Sequence, residues 1–232
     1  MTNRDLTKWA GCPAPKPVTL EGAYVVLEPY DRVLHLQALW KAFGGLAINE
    51  RLRYFPQAAF ADADAFGAWL DAAQVNWVTL IFRDKASRDV VGMASYMRPD
   101  PAYGVVEVGS VAHSDAMARS PLATEAHYLM ARHVFEDLGY RRYEWKCHND
   151  NTPSKVAAAR LGFTFEGIFR QHMVAKGANR DTAWFSMIDG EWPVLDAAFK
   201  AWVAPGNFDA EGRQRRRLED LRADIAATTG AA

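Results

Sequence analysis

Apolar residues recur along this chain with two periods, and the switches between the periods outline its elements. Residues 24–29 carry Val25, Val26 and Leu27 and read as a first strand. Asp31 stands at a helix start, with Leu34, Leu36, Leu39 and Trp40 following it. A short helix is predicted over 49–55. An amphipathic one is predicted over 62–74, with Phe66, Trp69 and Leu70 on one side. Three strands come next, over 77–83, 90–98 and 105–113, separated by turn-forming residues at 84–88 and 99–104. A long helix spans 122–138, a strand 142–148, and a helix 151–161. Segments 163–175 and 180–189 then pair as a hairpin around Lys176-Gly177-Ala178-Asn179.

This order predicts an α/β fold: a mixed, mostly antiparallel central sheet with helices on both faces. The two strands flanking the long helix should be parallel neighbours. Residues 1–17, with Pro13, Pro15 and Pro17, read as an extended arm, and 18–203 as the domain. Pro205-Gly206 breaks the chain before a polar extension, 204–232, in which 209–226 is expected to be one helix.

Composition narrows the function classes. The chain has 232 residues, half of them hydrophobic and 24% charged, with a formal net charge of −1. That balance gives no global argument for nucleic acid. The run Arg213-Gln214-Arg215-Arg216-Arg217 could meet an acidic surface. Glu211, Glu219, Asp220 and Asp224 balance it, which favours a solvated face. Two cysteines are too few for a disulfide framework, and no spaced Cys/His cluster suggests a metal. Cys147, in a strand that reads as buried, is a small core residue rather than a nucleophile. No apolar run of about 18 residues predicts a membrane span, and residues 1–11 lack a signal-type apolar stretch. Cytoplasm is the expected location.

The most informative stretch is 151–170, NTPSKVAAARLGFTFEGIFR. Asn151 can accept from unpaired N–H groups at a helix start. Ala157, Ala158 and Ala159 form a small-residue face, and Gly162 suits a left-handed helix end. This stretch resembles the second cofactor motif of the GNAT superfamily, the acetyl-CoA-dependent N-acetyltransferases. Glu166-Gly167, Arg170, Lys176-Gly177, Arg180-Asp181, Phe185-Ser186 and Glu191-Trp192-Pro193 continue the likeness over roughly 17–193. They resemble the branch that includes the ribosomal-protein N-terminal acetyltransferases.

The resemblance implies a V-shaped splay between the two parallel strands, holding the pantetheine arm of acetyl-CoA. It implies direct acetyl transfer to a primary amine in a ternary complex, without a metal. The amine would be a protein or peptide N-terminus or a small molecule; a homodimer is allowed for. The loop 118–123 should hold pyrophosphate on helix N–H groups and the positive helix end, with Arg119, Ser120, Leu122, Ala123 and Thr124 as its residues. The glycines usual in that loop are absent, and Pro121 has no N–H to give. Asn151 could bond the pantetheine arm. Ser154 could bond the sulfur and protonate the departing thiolate. The tyrosine that commonly does so would stand at Ala158, so Ser154 or a water must serve.

Glu107, a carboxylate inside an otherwise apolar strand, is the first candidate for the general base, with a pKa raised by burial. It could instead face solvent at an alternating position. His113, at the end of the same strand, is the second candidate, titrating near neutrality. Backbone N–H groups around Val108, Gly109 and Val111 would bind the oxyanion, by analogy with the fold. Two rivals stand beside this reading: a non-catalytic acyl-CoA-binding regulatory module, and a nucleic-acid-associated protein using the arginine run.

Overall fold

The computed structural model describes residues 5–118 and 120–229. Their strands are β1 (Leu20–Glu21), β2 (Val25–Pro29), β3 (Val78–Asp84), β4 (Val90–Asp100), β5 (Val105–His113), β6 (Arg142–His148), β7 (Thr164–Ala175) and β8 (Ala178–Ile188). They form one sheet in the order β1-β2-β3-β4-β5-β6-β8-β7. Every neighbouring pair is antiparallel except β5 and β6. That parallel pairing runs from Val105 opposite Arg142 to Val108 opposite Trp145, and there it stops. Beyond this point β5 stays with β4, and β6 stays with β8. The two strands therefore diverge, and a slot opens between them.

Helices cover both faces. On one side lie α1 (Arg32–Ala42), α2 (Ile48–Arg51) and α3 (Ala63–Ala73), packing Leu39, Phe43, Ile48, Phe66 and Leu70 onto Ile81 and Met93. On the other lie α4 (Pro121–Arg132), α5 (Thr152–Leu161), α6 (Trp192–Val203) and α7 (Leu218–Thr229). Their core takes Val106 and Val108 from β5, Tyr143, Trp145 and Cys147 from β6, and Ala183 and Phe185 from β8. Strand alternation explains the division: successive residues point to opposite faces.

Local sequence sets the helix ends. Asp31 accepts from Leu34 N–H at 3.0 Å and Asp62 from Ala65 N–H at 2.8 Å. Asn151 accepts from Ser154 N–H at 3.1 Å. Gly162 ends α5 with φ +102°, where a Cβ would lie 2.5 Å from Leu195 Cδ2. In the hairpin turn, Lys176 and Gly177 take φ +52° and +76°, the positive values of the turn that matches strand twist.

Four elements differ from their sequence expectation. The long helix is α-helical only to Arg132 and continues as a π-turn over His133–Asp137. The short helix forms one turn over Ile48–Arg51, after a 3₁₀ turn at Gly45–Ala47. The sequence pattern did not flag α6. The C-terminal helix starts at Leu218 rather than 209, because Asp209 Oδ1 accepts from the N–H groups of Glu211 and Arg213 and holds a loop there. The arginines of that loop are mostly paired: Arg213 with Asp209 and Glu211, Arg216 with Asp224, and Arg217 with Asp220. Leu218 and Leu221 of α7 reach the main core.

Candidate active site

A cavity of about 500 Å³ opens at the splay. Its lining includes Glu107, Val108, Gly109, Val111, His113, Asn151 and Ser154, which the sequence reading singled out separately. The fold brings them together because β5 and α5 form opposite walls of the slot.

β5 is irregular here. Ser95 faces Gly109 and Met93 faces Ala112, so Ala94 opposes two residues, Ser110 and Val111. This bulge puts Ser110 in the left-handed region at φ +53°. A non-glycine residue held there costs about 1–3 kcal/mol, and bulges re-aim the chain beside sites. The Ser110 hydroxyl is buried without a hydrogen-bond partner. At Gly109 the space that a Cβ would fill belongs to Met97 Sδ, at 2.4 Å, with Glu107 Oε1 at 3.2 Å. The missing side chain thus makes room for these groups.

Glu107 is 2% exposed, and it does not face solvent. It belongs to a chain of ion pairs that crosses the sheet. Its carboxylate accepts from Arg98 through both oxygens, with Arg98 Nε at 2.9 Å, and from Lys146 Nζ at 2.9 Å. Lys146 continues to Glu144 at 2.7 Å, Glu144 to Arg142 Nε at 2.7 Å, and Arg142 to Glu166 at 2.6 Å. The expected lone carboxylate is therefore a paired one. Oε1 makes one bond and keeps an acceptor position.

His113 lines the same cavity from the end of β5. Its Nε2 is 3.1 Å from Nε2 of His127, so a neutral pair shares one proton between those atoms. Burial, with a smaller repulsion from Arg51, pushes His113 down to about 4. That replaces the near-neutral titration expected of it and makes it a weak base at neutral pH. Burial likewise holds His127 well below its ordinary value.

On the other wall, Ser154 Oγ accepts from Trp145 Nε1–H at 2.9 Å. Its own O–H can donate, and the Cys147 sulfur is one acceptor within its reach. Burial raises the Cys147 thiol, against a smaller lowering by a hydrogen bond with Ser154. A thiol so placed is not a ready nucleophile.

The loop before α4 lies apart from the cavity lining. Arg119 is outside the described residues. Ser120 Oγ donates to the Met117 carbonyl at 3.0 Å and does not cap the helix. Leu122 is buried in the core, Ala123 packs against it, and Thr124 Oγ1 accepts from Arg160 at 2.9 Å. The uncapped N–H groups of the first turn, with the Arg160 guanidinium close by, fit a phosphate-bearing co-substrate. Glu125 is structural: its carboxylate accepts from the N–H groups of Ala23, Tyr24 and Val25 at 2.7–2.9 Å.

Sequence reasoning missed part of the lining: Arg51, Tyr54, Phe55, Trp69, Trp77, Lys146 and Arg180. A signal existed for Lys146. Along β6, Arg142, Glu144, Lys146 and His148 alternate with Tyr143, Trp145 and Cys147, which marks one face as charged. Among the described residues, no group of three or more His, Cys, Asp or Glu is placed to hold a metal ion. Nor is any helix long and apolar enough to cross a membrane.

The sequence model of the family described as "Acetyltransferase (GNAT) domain" matches residues 25–164, more than half of the chain. A solved GCN5-related N-acetyltransferase from Brucella melitensis is 46% identical, with a TM-score of 0.90, over 94% of this chain and 100% of that one. A structure from Chromobacterium violaceum, described as "probable acetyltransferases (GNAT family)", is 38% identical, with a TM-score of 0.76, over 83% of this chain and 97% of that one. An uncharacterized N-acetyltransferase, p20, of Bacillus licheniformis is 28% identical over 119 residues, 51% of this chain and 65% of that protein. A Salmonella typhimurium structure, described as modifying the N-terminal serine of ribosomal protein L7/L12, is 16% identical over 74% of this chain and 99% of that one. Its TM-score of 0.65 marks a shared fold alone.

Proposed function

The chain belongs to the GNAT acetyltransferase family, and on that premise we propose that it transfers acetyl from acetyl-CoA to a primary amine directly, in a ternary complex. The observation that carries the reading is one cavity at the strand splay with Glu107 on one wall and the Ser154 hydroxyl on the other.

In this reading the acceptor enters from the side of α1–α3 and the thioester from the slot. The amine lone pair attacks the thioester carbon, and its proton passes to the Glu107 carboxylate, directly or through a water. Backbone N–H groups along 108–111 bond the oxyanion that forms. Collapse breaks the C–S bond, and the thiolate takes a proton from water, directly or through the Ser154 hydroxyl, which regains its proton from that water. Lys146 and Arg98 hold the base in place, and the amide product leaves with CoA.

Acceptors in keeping with this reading are a peptide N-terminus, as in the ribosomal-protein branch that the sequence resembles, and a small amine. The double pairing of Glu107 is the observation that favours a rival, an acyl-CoA-binding module without turnover. Thiol release from acetyl-CoA across a panel of amines and N-terminal peptides separates the two. Turnover that falls in Glu107→Gln supports the enzyme; tight acetyl-CoA binding with no thiol release from any acceptor supports the module.

A further inference from the structure

Four cationic side chains besides histidines line the cavity, and three have carboxylate partners. Arg51 bonds Asp115 Oδ1 at 2.9 Å and the His113 carbonyl at 2.7 Å. Arg98 bonds Glu107, and Lys146 lies between Glu107 and Glu144. Arg180 differs. Among the described residues no carboxylate pairs with it. Its one side-chain hydrogen bond is a long one, 3.4 Å from Nη1 to the Tyr54 carbonyl. Its Nε is buried with no partner. Burial lowers its pKa, ahead of smaller charge effects from Cys147, Glu107 and Arg98. A guanidinium has five donors in a fixed fork that matches an oxyanion. Leaving such donors dry and unmet is costly, so this guanidinium calls for an acceptor group.

Strand alternation fixes which side it serves. Lys146 stands opposite Trp184 on the neighbouring strand and lies over its ring at 3.9 Å. Arg180, four residues before Trp184, shares that face. The α4–α7 layer packs on the other face, through Cys147, Ala183 and Phe185. The start of α4, the candidate phosphate site, belongs to that other layer. Arg180 is therefore placed toward the acceptor side and away from the co-substrate phosphates.

The surrounding wall is aromatic. Tyr54, Phe55, Trp69 and Trp77 line the same cavity, with Trp69 edge-on to Trp77 at 5.9 Å. The loop carrying Tyr54 and Phe55 is pinned at three points. Asn49 bonds both backbone groups of Phe60 at 2.8–2.9 Å, Lys176 Nζ bonds the Arg53 carbonyl at 3.0 Å, and Arg180 reaches Tyr54. A flat apolar body thus has a built surface beside a guanidinium without a carboxylate partner among the described residues.

Resting on the transferase reading above, we propose that Arg180 recognises an oxyanion of the acceptor. The acceptor is then an amine bearing a carboxylate or phosphate together with a flat apolar body, rather than a simple alkylamine or polyamine.

Binding is tested first without acetyl-CoA, by tryptophan fluorescence, since Trp69 and Trp77 line the cavity. The carboxylate arm compares aromatic amino acids, and amino acids with the carboxylate at increasing distance from the amine, with their carboxamides. The phosphate arm compares phosphorylated amines with their hydroxyl parents. In the unaltered protein the charged member of at least one arm should bind about 10–100-fold tighter, as expected for a charged hydrogen bond. Arg180→Gln should remove that preference, Arg180→Lys should keep part of it, and acetyl-CoA affinity should hold in both.

Equal binding of charged and neutral members overturns the inference. So does a preference that survives Arg180→Gln, or a loss of acetyl-CoA affinity, which would make Arg180 a co-substrate ligand. If Arg180→Gln does not fold, the graded effect of Arg180→Lys decides. Failure of the transferase reading looks different: anion-selective binding persists while no acceptor releases thiol.

Discussion

Glu107→Gln is the most discriminating single change. It keeps the side-chain shape and removes one negative charge from a group that is 2% exposed. Arg98 then loses its carboxylate, and Lys146 keeps only Glu144, at 2.7 Å. Removing one partner of a buried ion pair costs about 3–5 kcal/mol. Two features reduce the cost here. The Arg98 side chain is 55% exposed, so water can replace its partner. Lys146 retains Glu144 and the face of Trp184. A loss of about 1–3 kcal/mol follows. At about 2–4 °C per kcal/mol for a chain of this size, the melting temperature should fall by about 2–12 °C.

Activity should fall further than stability explains. Loss of a positioned base lowers turnover by about 10²-fold, measured as thiol release at saturating acetyl-CoA and at a temperature where the variant is folded. Acetyl-CoA affinity should be unchanged. A second substitution separates chemistry from charge balance. Glu107→Gln with Lys146→Met removes the cation that has lost one of its two carboxylates, while Glu144 keeps Arg142 at 2.7 Å. Stability should recover and the rate should not. A double variant that regains both would refute the assignment, leaving Glu107 as a charge partner only.

Ser154→Ala should lower the limiting rate more than it changes the apparent acetyl-CoA constant. It should also cost about 1–3 kcal/mol, because the Trp145 indole N–H loses its acceptor; an unchanged rate with the stability loss alone would leave water as the proton source. His113 gives a pH signature. Its folded value near 4 lies below the ordinary 6.5, so the unfolded chain binds the extra proton between those values. Stability from this group is complete above about 6.5 and declines as pH falls toward 4, by about 3 kcal/mol in all. His113→Leu should flatten that part of the melting-temperature profile, and a profile as steep as the parent's would remove His113 as the cause. Acetyl-CoA at 100 times its dissociation constant should add about 2.7 kcal/mol of stability, and no shift of the melting temperature at millimolar acetyl-CoA would sink the co-substrate assignment.

What was legible in the sequence was local. Asp31, Asn151 and Gly162 mark helix ends because each acts on backbone a few residues away. The slot was legible only through resemblance, since the end of the β5–β6 pairing depends on two strands far apart in the chain. The ion-pair chain was not legible. It joins Arg98, Glu107, Glu144, Lys146 and Glu166 from four strands, and no spacing within one segment reveals it. The polar run after residue 208 misled for a local reason. Its helix-forming composition is overridden by Asp209 and by buried Asn207, whose side chain bonds the Trp202 carbonyl and both backbone groups of Arg216.

The same distinction explains why Glu107 was legible as a candidate and its ion-pair partners were not. A charged residue in an apolar strand is visible from alternation alone, so the residue pattern of β5 by itself picks out Glu107. What it does there depends on what neutralises it, and that is a property of the sheet. A buried carboxylate without cations would be a strong base and a heavy cost to folding. With Arg98 and Lys146 beside it the cost falls, and both cations line the cavity that an acceptor would enter. An anionic acceptor on Arg180 would add negative charge to the same face and draw on the same cations. The charge balance around Glu107 and acceptor choice are then coupled. The expected outcome is that pH–rate profiles measured with charged and neutral acceptors differ in their acidic limbs. Coincident acidic limbs for the two acceptors would show that the base does not sense the anion.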